Sequence, residues 1–170
     1  MAITLDGNNL ATVGVINSAT AKASTSGTNI DFTGIPSGVK RITVMFNGVS
    51  TNGTSNYQIQ IGSGSVSTTG YSCTYSFSST GVGNATASTG FVIQNPAPSA
   101  ATVFQGFVVL CLLGSNTWVA SGTLGESDTA RTLTTAGSSP ALSGALDRVR
   151  ITTVNGTDTF DAGSINILYE

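Results

Sequence analysis

Apolar and polar residues alternate with a period of two along much of this chain, and no stretch repeats its apolar positions at helical spacing between helix caps. Ile42, Val44 and Phe46 alternate with Thr43, Met45 and Asn47, while Tyr57, Ile59 and Ile61 alternate with Gln58 and Gln60. Successive side chains of a strand point to opposite faces, so each pattern predicts one buried face and one wet face. Between the two runs, Ser50-Thr51-Asn52-Gly53-Thr54-Ser55 carries Asn-Gly. That pair supplies the positive φ angles of a tight turn and predicts that the flanking strands form a hairpin. Further strands are predicted at about 28–33, 71–77, 102–113, 116–123, 129–135, 146–154 and 163–169, with shorter patterns at Ala2 to Leu5 and Phe91 to Ile93. Roughly eight to ten short strands with regular turn signals predict an all-β fold, an antiparallel β-sandwich that is jelly-roll-like.

The segments between these runs read as loops. Phe77 to Thr89 is rich in Ser, Gly and Thr, Asn95-Pro96-Ala97-Pro98 cannot continue a central strand, and Ala136 to Ser143 contains Pro140. Residues 7–27 are small, polar and nearly patternless, which divides the chain into an N-terminal arm or docking segment, 1–27, and a sandwich domain, 28–170. The runs Ser37 to Val44 and Gly144 to Ile151 echo one another, each with glycine, an apolar residue, charged residues and then a β-branched strand. A pseudo-repeat and coincidence in a low-complexity sequence explain this echo equally well.

One strand departs from alternation. Phe104, Gly106, Val108, Leu110 and Leu112 make one face, and Phe107, Val109, Cys111 and Leu113 make the other, so both are apolar. The outer face of an antiparallel sandwich is normally polar unless something covers it. Two covers fit: the chain's own arm or long loop, or a neighbouring subunit. The scarcity of charges with which to prevent association tilts the expectation towards the subunit.

Composition narrows the chemistry. The chain has 170 residues, enough for one domain that buries roughly 70% of its unfolded surface. Only 8% of residues are charged, the net charge is −2 and there is no histidine. The mean hydropathy of +0.22 argues against disorder, which pairs low hydrophobicity with high charge. Basic residues cluster only at Lys40-Arg41 and Arg148/Arg150, a poor footprint for nucleic acid. Met1 to Asp6 has neither the basic start nor the apolar run of a secretory signal, and Phe107 to Leu113 is too short to span a bilayer. A protein made in the cytoplasm, without membrane insertion, is expected. The sequons at Asn52, Asn84 and Asn155 then meet no glycosylation machinery.

Without histidine the commonest general base and metal ligand is missing, so no enzyme, catalytic residue, metal or cofactor is expected. A Ser or Thr nucleophile could pair with lysine, but Lys22 lies in the arm and Lys40 at a strand start beside Arg41. Asp158 and Asp161 are the close acidic pair that could carry chemistry; they suit either a weak calcium site or, more simply, turn chemistry with Asn155 before the last strand. Gly62 to Ser65 and Gly81 to Gly83 lack the helix or lysine of a phosphate cradle. Trp118, Tyr57, Tyr71 and Tyr75 fit core packing better than exposed sugar stacking. Arg41 and Arg148 are expected to snorkel or to pair with Asp31 or Asp147. Cys73 and Cys111 fit no metal spacing and read as two buried small hydrophobes, a disulfide being the alternative.

The stretches Asn29 to Pro36, Gly38 to Phe46, Leu146 to Ile151 and Phe160 to Glu170 resemble a domain of virion proteins of tailed bacteriophages, often the C-terminal module of tail fibres. The resemblance covers roughly residues 28–170 and implies a β-sandwich that assembles as a homotrimer, with no catalytic motif. Residues 1–27 stand where a fibre would have a long shaft. The resemblance implies a structural virion component, a short tail fibre or tail-tip protein, whose arm docks to other virion proteins. Its loops Ser50 to Ser55 and Phe77 to Thr89 would touch a host-surface glycan receptor. The alternative is a capsid decoration protein, a jelly-roll cement or head-fibre subunit.

Overall fold

The computed structural model describes residues 15–93, 98–128 and 130–170, and no helix occurs among them. In chain order the strands are β1 (Asn17–Ser18), β2 (Lys22–Ala23), β3 (Asn29–Thr33), β4 (Arg41–Thr51), β5 (Tyr57–Ser63), β6 (Ser65–Val66) and β7 (Ser72–Ser78). There follow β8 (Val82–Ala87), β9 (Phe91–Val92), β10 (Phe104–Gly114), β11 (Thr117–Glu126), β12 (Arg131–Ser138), β13 (Arg148–Thr153) and β14 (Phe160–Tyr169). The larger, nine-stranded sheet has the order β1-β14-β4-β10-β11-β12-β7-β8, with β2 also on β14. The smaller, five-stranded sheet has the order β3-β13-β5-β6, with β9 also on β5. Every pairing is antiparallel, so the expected all-β antiparallel sandwich is what forms. The chain changes sheet at β2–β3, β3–β4, β4–β5, β6–β7, β8–β9, β9–β10, β12–β13 and β13–β14, while β10 to β12 run as a meander.

Period two explains the core. Ile42, Val44 and Phe46 of β4, Val108 and Leu110 of β10, and Ile165 and Ile167 of β14 are buried from the larger sheet. Opposite them lie Phe32, Tyr57, Ile59, Ile61, Val149 and Ile151 of the smaller sheet. Tyr57 sits at the contact, its ring edge-on to Phe104 at 4.5 Å and to Phe160 at 6.0 Å between centroids. Burial raises its phenol pKa above the ordinary value, and that of Tyr71 is pushed up to about 12 by the same cause.

The strands exceed the expected number because two-residue pairings such as β1, β2 and β6 leave no periodic trace, whereas the short pattern at Phe91 to Ile93 does supply β9. Three further expectations are corrected. First, β4 and β5 are not hairpin partners, because they lie in different sheets. Gly53 has no positive φ; it is glycine because an added Cβ would stand 2.0 Å from Asp158 Cγ. Second, Gln58 and Gln60 do not face water, being 3% and 5% exposed. The Thr89 segment lies across them, its carbonyl accepting Gln60 Nε2 at 2.8 Å and its hydroxyl donating to Gln58 Oε1 at 2.8 Å. Third, Phe77 to Thr89 is largely a hairpin, β7 with β8, rather than a loop. β8 is an edge strand of Val-Gly-Asn-Ala-Thr-Ala with no buried residue, so no apolar period marks it.

The described part of the arm runs beside β14 and pairs with it through β1 and β2. The predicted strand Ala2 to Leu5 and most of Asn95 to Pro98 lie outside the described residues. The two echoing runs contribute to β4 and β13, in different sheets.

Candidate interaction surfaces

Two outer faces and one end of the sandwich gather the residues singled out by the sequence. On the outer face of the larger sheet, Phe107 is 54% exposed and Leu113 is 72% exposed, with Val109 and Cys111 half-buried between them. Cross-strand register places Met45 and Thr123 beside Phe107, Thr43 and Ser121 beside Val109, and Arg41 and Val119 beside Cys111. Leu168 follows Thr43 in the same row, and Ile16, 58% exposed, lines a shallow hollow with Thr43 and Leu168. The charges at this rim neutralise each other, Arg41 Nη2 meeting Glu170 Oε1 at 2.7 Å. Of the two covers considered, the internal one is not seen over this face among the described residues. β1 and β2 extend the sheet beside β14, and the β7–β8 hairpin extends its far edge.

Cys73 is buried as expected, but Cys111 is only half-buried, because its side of β10 faces outward; both thiols are free. Trp118, Tyr57 and Tyr71 are in the core, and Tyr75 is half-buried on β7, so these four aromatic residues offer no open sugar-stacking platform.

At one end of the sandwich, Asp158 accepts from Ser55 N at 2.8 Å and from Asn155 Nδ2 at 2.6 Å. Asp161 instead accepts from Ser50 Oγ, so the two carboxylates serve different partners, as turn chemistry requires. Asn52 Oδ1 accepts from Thr159 N at 2.9 Å, and Asn52 N donates to Thr159 O at 2.9 Å. The segment 50–55 is therefore fastened to 155–161, and Ser50 and Thr51 are buried. Among the described residues no three His, Cys, Asp or Glu side chains stand together to hold a metal. Ser37 and Lys40 have the Ser-x-x-Lys spacing, but both are exposed in the turn before β4, and no hydrogen bond joins them.

The arginines of β13 pair locally: Arg148 with Asp147 at 2.7 Å and Arg150, through Nε and Nη2, with both Asp31 oxygens at 2.7 and 2.8 Å. The hydrogen bond from Arg148 holds the Asp147 carboxyl below its ordinary pKa, and Gly64 N adds to this.

Sequence reasoning missed one cluster, at the β11–β12 turn. The side chain of Glu126 is fully buried and bonds Arg131 Nη1 at 3.1 Å, and the Arg131 guanidinium lies 5.4 Å from the Phe77 ring centre. Asp128 accepts from Ser99 Oγ at 3.1 Å and Thr102 Oγ1 at 3.0 Å. Burial pushes its pKa up, but hydrogen bonds with Glu126, Thr102 and Ser99 outweigh that and hold it below the ordinary value. A depressed folded pKa stabilises the fold above the unfolded value and loses that stabilisation as pH falls through the folded one. Amide protection at Glu126 to Asp128, taken relative to the intrinsic exchange rate at each pH, is therefore expected to fall below about pH 4, the ordinary aspartate range. Asp128→Asn should flatten that dependence, and an unchanged profile would contradict the assignment.

No helix among the described residues is long and apolar enough to cross a membrane. Comparison of the chain with protein-family models, curated proteins and solved structures returns no match in any of the three.

Proposed function

We propose that this chain is a structural subunit of a tailed-phage particle, a short tail fibre or tail-tip component that associates with further copies of itself as a trimer. The observation that carries the reading is the apolar patch on the outer face of the larger sheet, where Phe107 and Leu113 are exposed and Met45, Val109 and Leu168 are half-buried. Large exposed apolar patches on soluble domains mark interaction sites. A second copy suits this patch because the chain carries so few charges that approaching copies meet little like-charge repulsion. The stretches that resemble the phage domain supply β3, β4, β13 and β14, which pair β3 with β13 and β4 with β14 across both layers. The resemblance thus concerns a contiguous part of the sandwich and not scattered segments.

Two measurements test the proposal together. Sedimentation at micromolar concentration should give a trimer for the full chain and a folded monomer for the double variant Phe107→Asp, Leu113→Asp. Antibody labelling of intact particles should then place the signal on the tail. A monomeric parent chain, or no association with particles, would overturn the assignment. Signal on the head in many copies per shell would replace it with capsid decoration.

A further inference from the structure

The opposite outer face, that of the smaller sheet, is polar and concave. Its groove has a volume of about 330 Å³, at the lower end of the range of small-molecule sites. Polar side chains from three strands form its floor: Arg150 and Gln60 lie abreast, as do Asn29, Thr152 and Gln58, while Asp31 pairs with Arg150 from outside the lining. Thr68 and Thr89 flank the floor, and Val154, 44% exposed, supplies apolar surface at the rim.

The groups left over are informative. Both glutamines are more than nine-tenths buried, yet they stand at the groove. Gln58 spends both ends of its amide on the protein, Nε2 on Thr153 O at 3.2 Å and Oε1 on the Thr89 hydroxyl. Gln60 spends only Nε2, and no described residue donates to its Oε1. Arg150 commits Nε and Nη2 to Asp31, so Nη1 remains, and the Thr68 hydroxyl has no partner among the described residues. An amide oxygen on a buried residue, a guanidinium whose charge Asp31 balances and a hydroxyl without a partner among the described residues therefore line one hollow. Carboxylates and phosphates would find the guanidinium charge already balanced by Asp31, and cations would find the Asp31 oxygens taken.

We infer that this groove binds one uncharged sugar unit. Sugar hydroxyls donate and accept at once, which suits a mixture of acceptor, donor and hydroxyl, and the C–H face of a ring can rest on Val154. Without an aromatic platform the affinity of one site is weak, and several copies on one assembly would raise it. The inference rests on the proposed tail role and on the glycan contact that the phage resemblance implies, but it moves that contact from the loops Ser50 to Ser55 and Phe77 to Thr89 to the face of a sheet.

Titration of the intact chain with glucose, galactose and N-acetylglucosamine, followed by amide shifts in NMR spectra, tests it. At least one neutral sugar should shift the side-chain amides of Gln58 and Gln60 with a dissociation constant of roughly 1–10 mM. Gln60→Leu should weaken binding about tenfold, and Thr68→Val, at an exposed position that leaves the fold intact, about threefold. Glucuronate should bind no better than glucose. Silence with every neutral sugar, shifts centred elsewhere, equal affinity in Thr68→Val, or preference for glucuronate would each overturn the inference. Oligomeric state and particle labelling do not depend on the groove, so its failure is distinguishable from failure of the assembly reading.

Discussion

Tyr57→Ala is expected to destabilise the protein by about 4 kcal/mol, lowering its melting temperature by roughly 8–16 °C. The residue is 2% exposed and lies between the sheets, edge-on to Phe104 and Phe160. Truncation leaves a cavity that both rings must border, because neither strand can move inward without breaking its pairing. Most of the loss comes from this cavity and the missing contacts. The hydroxyl, 3.2 Å from Thr51 Oγ1, accounts for far less, so Tyr57→Phe should cost only about 1 kcal/mol. Thermal and urea unfolding of the two variants check the difference. Equal effects would mean that the hydrogen bond, and not the packing, is what matters at this position.

Gly163→Ala is expected to be nearly as damaging, at about 3 kcal/mol or more. Pairing of β14 with β4 slips twice between Phe160 and Ser164, and the irregularity is built on this glycine. Its φ is +89°, and an added Cβ would stand 2.3 Å from Gly48 O, a backbone atom that cannot step aside. Two controls separate the causes. Gly48→Ala meets open space at φ +65° and should show the conformational cost alone, about 1–2 kcal/mol. Gly38→Ala meets nothing within 4 Å at no positive φ and should change stability by less than about 0.5 kcal/mol. If all three variants melt together, the close approach of the two strands at this bulge is not a constraint.

Much of the sandwich was readable in advance because a buried face must be apolar. Ile42, Val44 and Phe46 announce β4, and the double-sided apolar run from Phe104 announces a face that is left bare among the described residues. What alternation does not carry is the identity of a strand's neighbour. Asn52-Gly53 signals a local change of direction, and the same signal serves a hairpin or a passage between layers; Asp158, more than a hundred positions away, decides which. Nor does polarity reveal exposure. Gln58 and Gln60 look like a wet face in sequence, and only the Thr89 segment folded across them makes a recess of it. The Glu126, Asp128 and Arg131 cluster was illegible for a related reason, since its other members, Phe77, Ser99 and Thr102, come from distant parts of the chain.

The joining of β3 to β13 and of β4 to β14 has a consequence for biosynthesis. Neither layer can be completed until the last strands leave the ribosome, since each needs a partner made near the beginning. A nascent chain thus holds early strands in waiting, and closure over so long a separation is slow, on the order of milliseconds to seconds. During that interval the sticky row on β10 is already synthesised, so crowded polysomes would favour mispairing between half-made copies. Expression at low temperature or with a holdase should accordingly raise the yield of native material.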